Sequence, residues 1–253
     1  MGMDVYGRNP RQNKPLSEFP VYYKFKDMDF KDKWEILDKK VVCEECQGED
    51  CGAFVNEDGD CWKCEGRGHY NPNEKLKEEY WKEMENYEEV NVGYYFRNNV
   101  WWWRPLWNYC YAVAEDLLEN NLQVKEYEVD DNGETDYEKY HWVPAKYEDG
   151  HGNSGAGLNA HYAKELGEIL LKQIEIGGTI QYQASYEQQL EDIPDDDCFR
   201  CNNNNRGNNK KEDCTNCNKT GKTTNFNKNY PFDIDNVKDF AEFCLQSGGF
   251  KIC

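Results

Sequence analysis

The chain has 253 residues, of which 38% are hydrophobic and 15% aromatic, and its net charge at pH 7 is −19. This length allows one or two domains with a sizeable core, and the many aromatic residues are expected to supply much of its buried surface. The negative charge disfavours general binding to a phosphate backbone, because such binding depends on lysine and arginine. An acidic chain can instead imitate nucleic acid, or the charge can simply keep it in solution.

No apolar run approaches the roughly 20 residues that a membrane-spanning helix needs. The first ten residues also lack the basic and then apolar pattern of an export signal. These features predict a soluble, cytoplasmic protein with no membrane partner. The chain has twelve cysteines, eight of them in C-x-x-C pairs. Without an export signal, metal binding explains such pairs better than disulfide bonds do.

The first part of the chain predicts a strand, a loop and a helix. Residues 3–7, MDVYG, are typical of a short strand, and the three prolines within residues 8–20 indicate a loop. A helix is predicted over residues 72–88, with Asn71 as its cap and Pro72 at its first position.

The aromatic stretch over residues 94–118, YYFRNNVWWWRPLWNYCYAVAEDLL, is the centre of the predicted core. Pro105 suits the first turn of a helix. Apolar residues then follow at helical spacing: Leu106, Cys110, Val113 and Leu117. Arg97 and Arg104 belong to the same stretch, and each needs a carboxylate, an aromatic face or a ligand.

Further elements are predicted in the second half. Residues 151–158, HGNSGAGL, form a glycine-rich loop that leads into a helix over residues 159–175. Asp233 is expected to cap another helix, which the glycines at 248–249 end. Residues 250–253 can then add an edge strand.

Two blocks contain the paired cysteines. In residues 43–68 the pairs CEEC and CWKC are separated by fourteen residues, and in residues 198–221 the pairs CFRC and CTNC are separated by twelve. Two such pairs place four thiolates around one tetrahedral zinc ion, with no open coordination position. The predicted ligands are Cys43, Cys46, Cys61 and Cys64 in the first block, and Cys198, Cys201, Cys214 and Cys217 in the second. The sequence therefore predicts two structural zinc ions, with disulfides or free thiols as the alternative.

The residues around the cysteines resemble a known zinc-binding repeat. Residues 61–68, CWKCEGRG, match the pattern C-x-x-C-x-G-x-G, and Gly221 keeps one glycine position of the second block. In these residues both blocks are similar to the cysteine-rich region of J-protein co-chaperones, which implies zinc binding. Co-chaperone activity is not implied, because nothing in the chain resembles a J-domain with its His-Pro-Asp.

The two blocks differ in charge. Residues 43–70 contain eight acidic and two basic residues, whereas residues 198–228 contain seven basic and two acidic ones. Nucleic acid is therefore not expected as a partner, except through residues 198–228. The basic face of that segment can equally pack on acidic segments of the chain itself.

Several segments together resemble a family of uncharacterised proteins from bacteriophages and bacteria. They are residues 1–10, 94–110, 151–158, the second cysteine block and residues 230–253. The likeness spans residues 1–10 and 93–253, and it implies a viral origin without an established activity. Residues 11–92 are an addition relative to those proteins. Ser154 and Ala156 stand where the relatives often have aspartates, so no acidic role of the glycine-rich loop is implied.

A ligand site is a further hypothesis, with a purely structural turn as its alternative. Glycine N–H groups at the start of a helix can bind an anion. The candidate ligand-binding residues are Asp4, Arg97, Arg104, His151, Asn153, Gly155 and Gly157. No catalytic residue can be named from the sequence, so the existence of an enzymatic activity stays open.

Taken together, these patterns predict an α+β fold with a mainly helical core and two inserted four-cysteine zinc modules. Residues 1–10 and 93–253 form the predicted core domain, which includes the second zinc module over 198–221. Residues 11–92 form an inserted segment with the first zinc module, over 43–68, and the helix at 72–88.

The expected function is that of a zinc-binding viral accessory protein in the host cytoplasm, which binds another protein through its zinc modules. One alternative is a small-ligand or nucleotide-binding protein, or an enzyme, with a pocket between the aromatic helix and the glycine-rich loop. The other alternative is an acidic mimic of nucleic acid.

Overall fold

A computed structural model describes residues 2–45, 61, 63–65, 67–120, 143–144, 146–153, 155–201 and 214–253. The chain forms two compact units. The core unit consists of Met1–Arg11 and Val92–Cys253, and the second unit of Gln12–Asn91. No helix in the described ranges is long and apolar enough to cross a membrane.

Helices and strands are interspersed along the described chain. The first part contains β1 (Gly2–Gly7), α1 (Pro20–Phe25), α2 (Phe30–Leu37), β2 (Val41–Val42), β3 (His69–Tyr70), α3 (Glu74–Val90), β4 (Tyr95–Asn99) and α4 (Val100–Glu119). The second part contains β5 (Val143–Pro144), α5 (Tyr147–Gly150), β6 (Ala156–Asn159), α6 (Ala160–Glu175), α7 (Gly178–Asp192), β7 (Asp196–Asp197), β8 (Lys222–Thr223), α8 (Ile234–Gln246) and β9 (Gly249–Ile252). A mixed helix and sheet fold is therefore confirmed for the described residues.

The core unit contains a five-stranded sheet with the strand order β4-β1-β9-β6-β5. All neighbours are antiparallel except β5 and β6, which are parallel. Met3 and Val5, on one face of β1, are buried together with side chains from the helices. The sequence predicted β1 correctly. It was wrong about β9, which lies between β1 and β6 and is not an edge strand, because Phe250 and Ile252 are fully buried there.

The aromatic helix α4 supplies the three largest fully buried side chains among the described residues, Trp103, Trp107 and Tyr109. Trp103 and Trp107 are both fully buried, and their rings stack with centroids 5.7 Å apart. The indole N–H of Trp103 donates to the Gly150 carbonyl (2.7 Å) and that of Trp107 to the Tyr147 carbonyl (3.1 Å). These hydrogen bonds satisfy the buried indole donors and attach the short helix α5 to α4.

The start of α4 differs from the prediction. The side-chain oxygen of Asn99 accepts hydrogen bonds from the backbone N–H of Trp101 (3.0 Å) and Trp102 (3.1 Å), so the helix begins at Val100. Pro105 therefore lies inside the helix, where it cannot donate a hydrogen bond to the carbonyl of Trp101. The prediction that Pro105 opens the helix was wrong, because a capping asparagine lies further upstream.

The glycine-rich segment does not lead directly into a helix. Strand β6 covers its last residues, and only then does Asn159 cap α6 by accepting from the Tyr162 N–H (3.0 Å). A Cβ atom added to Gly157 would lie 1.9 Å from the Phe250 carbonyl oxygen. Gly157 thus permits the close approach of β6 and β9.

The helix α8 follows its predicted signals. Asp233 caps it through hydrogen bonds from the backbone N–H of Asp235 (2.6 Å) and Asn236 (3.3 Å). Gly248 and Gly249, with φ angles of 61° and 93°, follow the helix and lead into β9. Both angles lie in the left-handed region that favours glycine.

The second unit is held together by aromatic contacts between α1 and α3. The Glu83 carboxylate accepts from the backbone N–H of Val21 (2.8 Å) and Tyr22 (2.9 Å), at the start of α1.

Helix α3 covers Glu74–Val90, so it begins and ends two residues later than the predicted 72–88. The cap position is occupied by Asn73 and not by Asn71, whose side chain accepts from the Asn73 N–H (2.9 Å) in the turn before the helix.

Candidate metal centres and surrounding residues

The second cysteine block brings four thiols together. The Sγ atoms of Cys198, Cys201, Cys214 and Cys217 all lie within 4.8 Å of one another. The Cys198 and Cys214 sulfurs are 3.8 Å apart, and those of Cys201 and Cys217 are 3.6 Å apart. Both distances far exceed the S–S bond of about 2.05 Å in a disulfide. They agree with a tetrahedron of sulfurs at about 2.3 Å from a central ion, whose edges are about 3.8 Å.

A two-stranded ribbon encloses this cluster. Strands β7 and β8 pair with each other, and the Cys198 N–H donates to the Gly221 carbonyl (2.9 Å). The Gly221 N–H donates to the Cys217 sulfur (3.3 Å). Lys219, at the first of the two glycine positions of the repeat, adopts a φ of 67°, so the turn keeps its left-handed backbone there without a glycine.

Hydrogen bonds to sulfur favour the thiolate form of Cys198 and Cys217, whereas burial and the neighbouring cysteines raise the pKa of Cys201 to about 12. Burial opposes ionisation of Cys198, but the Asn216 side-chain amide and backbone N–H groups donate to it and lower its pKa to about 6. Burial also opposes ionisation of Cys217, but hydrogen bonds from the Gly221 N–H and from Cys201 and Cys214 together lower its pKa. Because the thiolate is the form that binds metal, both cysteines are prepared for coordination.

The first cysteine block is constructed in the same way. The sulfurs of Cys43, Cys61 and Cys64 lie within 4.8 Å of one another, and all three residues are buried. Strands β2 and β3 pair beside them, and the Cys43 N–H donates to the Gly68 carbonyl (3.0 Å), as Cys198 does to Gly221. Cys46, the predicted fourth ligand, lies outside the described residues. Both clusters can hold a metal ion.

The lysines of the second block are partly neutralised by the chain itself. Lys222 pairs with Asp197 (2.6 Å) and Lys228 with Asp195 (3.1 Å). The sequence had left open that the basic segment packs on acidic segments of the chain itself, and these two ion pairs are such contacts. They reduce the positive charge that a phosphate would meet.

The candidate ligand residues on β1 and β4 form an ion pair. Asp4 lies opposite Arg97 in the strand register, with 3.6 Å between Arg97 Nε and Asp4 Oδ1. Asp4 also accepts a hydrogen bond from the Tyr95 hydroxyl. A structural carboxylate therefore orients Arg97, while its guanidinium stays exposed.

Arg104 and His151 lie close enough to influence each other. Arg104 donates to the Tyr230 hydroxyl (2.8 Å), and its guanidinium lies over the Tyr230 ring at 5.7 Å. The pKa of His151 is lowered, first by burial and then by the charge of Arg104. Its Nε2 atom is buried and has no hydrogen-bond partner among the described residues.

The other candidates of the glycine-rich segment are used by the sheet and its surroundings. The Asn153 amide lies 3.5 Å from the Gly2 carbonyl, and the Gly155 N–H donates to the Ile252 carbonyl (3.0 Å). Gly157 belongs to β6 and pairs with Lys251. An anion site at the start of a helix needs free N–H groups there, and the N–H of Gly155 is instead used by the Ile252 carbonyl.

The sequence did not predict an aromatic groove beside the second cysteine block. The groove has a volume of about 390 Å³. Its lining residues are Asn99, Trp101, Trp102, Phe226, Asn229 and Pro231. Phe226 is 57% exposed, so much of its ring is accessible to a partner. The sequence shows only that Phe226 follows the last cysteine of the block. The groove could not be predicted from this, because it depends on the contact of Phe226 with Trp101, which belongs to a distant segment.

A relative of known function would help to identify the metal or the partner. Comparisons of this chain with models of protein families, with curated proteins and with solved structures find no match. The chemistry of the clusters and of the groove is therefore the basis on which a function can be inferred.

Proposed function

We propose that this chain is a zinc-binding protein in which two four-thiolate zinc ions stabilise small ribbons, and that it acts by binding another protein. The observation that carries the zinc assignment is the set of four converging sulfurs in the second cluster. Four thiolates are typical ligands of structural zinc. They leave no position for a water molecule or a substrate, so a structural role is favoured over a catalytic one.

The same argument extends to the first cluster. Cys43, Cys61 and Cys64 converge as their counterparts do, and Cys46 completes the C-x-x-C pair with Cys43 in the sequence. We include Cys46 as the fourth ligand in this proposal. Zinc is favoured over other metals because thiolates arranged for tetrahedral coordination suit it, and because it needs no redox partner.

A protein partner is favoured over nucleic acid on grounds of charge. The chain carries a net charge of −19, and Lys222 and Lys228 are already paired with aspartates. Exposed aromatic side chains beside the second cluster are typical anchors of protein interfaces. In line with the resemblance to bacteriophage and bacterial proteins, the proposal includes a role as an accessory protein in the cytoplasm of a host cell.

Metal analysis of the purified protein tests the zinc assignment. We expect one zinc ion for each of the two clusters, and the loss of one ion in Cys43→Ser and of the other in Cys214→Ser. Cys244→Ala is the matched control, because Cys244 is a buried thiol outside both clusters, and it should keep the full zinc content. Cysteines found as disulfides, with no bound metal, would refute the assignment.

A further inference from the structure

The aromatic groove has walls from both the central helix and the second metal module. The Trp101 ring centroid lies 4.7 Å from that of Phe226 and 4.8 Å from that of Tyr230. Trp101 belongs to α4, whereas Phe226 opens the short helical turn Phe226–Asn229, which follows β8. Rings therefore form one side of a groove whose rim carries the amides of Asn99 and Asn229.

The metal module fixes the Phe226 wall in place. The Asn225 side-chain oxygen accepts from the Asn227 N–H (2.9 Å), and its amide donates to Asp196 in β7 (2.8 Å). Because β7 and β8 close the cysteine cluster, the turn that presents Phe226 is attached to the metal site.

Carboxylates flank the groove on the side of the module. Residues 195–197 are three consecutive aspartates, and the lysines that face them, Lys222 and Lys228, each pair with one of them. Asp196 accepts a hydrogen bond from the Asn225 amide (2.8 Å) and also interacts electrostatically with Lys222. Among the described residues, three carboxylates therefore face two lysines on this side of the groove.

Carboxylates also lie near the start of α8. The Asn236 amide lies 3.5 Å from the Trp102 carbonyl, which brings this end of α8 next to the groove. Asp233, which caps α8, and Asp235 are the acidic residues at this end, whereas Asp239 and Glu242 lie further along and Lys238 is 3.9 Å from Glu242. Burial raises the pKa of Asp239, the negative charges of Glu242, Asp235 and Asp233 raise it further, and Lys238 lowers it. A cation that approached this helix would relieve that repulsion.

The chain already shows how the aromatic cluster receives a cation. The Arg104 guanidinium lies over the Tyr230 ring, and that ring is in contact with both Trp101 and Phe226. The face of an aromatic ring attracts a cation through its quadrupole, and nearby carboxylates strengthen the attraction.

We propose that this groove binds an extended, lysine- or arginine-bearing segment of a partner protein. The aromatic rings would contact the stems and charged groups of the basic side chains, and the carboxylates of the module and of α8 would complement their charge. A phosphate backbone would meet the same carboxylates with repulsion. The inference rests on the proposed function, because the zinc module holds Phe226.

A labelled peptide of alternating lysine and glycine is the probe for this site. Fluorescence anisotropy should show that this peptide binds the zinc-loaded protein and that its affinity falls with rising salt. A matched glutamate–glycine peptide should not bind. Phe226→Ala should weaken binding about five-fold, the effect of one lost cation–π contact. Phe199→Ala is the matched control, because Phe199 is an exposed phenylalanine of the same module that does not line the groove. It should leave the affinity unchanged.

The double substitution Asp235→Asn with Asp239→Asn tests the charge argument separately. This variant should bind the lysine peptide with lower affinity, and its binding should depend less on salt. Equal affinities of Phe226→Ala and Phe199→Ala, binding of the glutamate peptide, or tighter binding of single-stranded oligothymidine would each overturn the proposal. Zinc content is measured on the same samples. A zinc-loaded protein that fails to bind the peptide refutes this inference alone, whereas a protein without zinc refutes the proposed function.

Discussion

His151 shows at the scale of one residue how burial and a nearby charge lower the pKa of a side chain. It follows α5, and its ring lies edge-on to that of Tyr147, with centroids 4.8 Å apart. Burial lowers the pKa of His151 from 6.5, the Arg104 charge lowers it further, and Glu148 acts in the opposite direction. A neutral imidazole whose Nε2 has no partner within the described ranges is suited to a polar ligand or an ordered water.

The titration of His151 can be measured directly by NMR. We expect a pKa below 6.5 in the wild type and a higher value in Arg104→Gln, still below 6.5 because burial is the larger cause. Arg104→Lys keeps the charge and is the control. Because folding favours the neutral ring, the contribution of His151 to the free energy of unfolding is present above about pH 6.5 and is lost as the pH falls below it. A wild-type pKa of 6.5 or higher would contradict this account.

At the scale of elements, the glycine-rich segment 151–158 is explained by the packing of strands. A Cβ atom on Gly157 would collide with the backbone of β9, whereas a Cβ atom on Gly152 would meet no atom within 4 Å. The neighbour of Gly157 is a carbonyl oxygen in a paired strand, so it cannot move aside without breaking the pairing of β6 with β9.

The two glycines therefore predict opposite outcomes for the same substitution. Gly157→Ala should lower the free energy of unfolding by about 3 kcal/mol, the cost of overpacking a rigid site. Gly152→Ala should change it by less than about 1 kcal/mol, and can raise it by restricting the unfolded chain. Urea unfolding of both variants provides the comparison. Equal stabilities would show that β6 and β9 separate more easily than their contact implies.

Elements whose signals are local were predictable from the sequence. Asn159 and Asp233 accept hydrogen bonds from backbone N–H groups within three residues, so their positions alone indicated the starts of α6 and α8. The convergence of the cysteines was predictable for another reason: the C-x-x-C spacing is typical of a four-thiolate metal site, although the two pairs of each site lie more than ten residues apart. In the two helices the interaction that determines the structure joins neighbours in the sequence.

Features that depend on distant contacts were not predictable. The central place of β9 results from its pairing with β1 and β6, and no pattern within residues 250–253 records either partner. The groove likewise forms because the Phe226 ring lies on Trp101. Pro105 was misleading because its preference for a first turn is weaker than the combination of a capping asparagine with the packing of Trp103 and Trp107.

At the scale of the whole molecule, the core unit combines two kinds of stabilisation. Its main core buries residues from α4, α6, α8 and the sheet, including Trp103, Leu166 and Phe240. Among the described residues, the hydrophobic cluster at the second site consists of its four cysteines, and it is closed by strands of two residues each. So little apolar surface offsets only a small part of the entropy of ordering the ribbon, so the proposed zinc ion would supply most of its stability.

Chelation followed by hydrogen exchange should separate these two parts. After zinc is removed, we expect the amides of Cys198 and Gly221 to lose their protection, because the hydrogen bonds they make exist only in the closed ribbon. The amides of Leu166 and Leu170 in α6 should stay protected, since both side chains belong to the main core. Cys214→Ser should reproduce this pattern without a chelator. Simultaneous loss of protection in α6 would show that the metal holds the whole core unit, and retained protection at Cys198 would show that the ribbon is stable without metal.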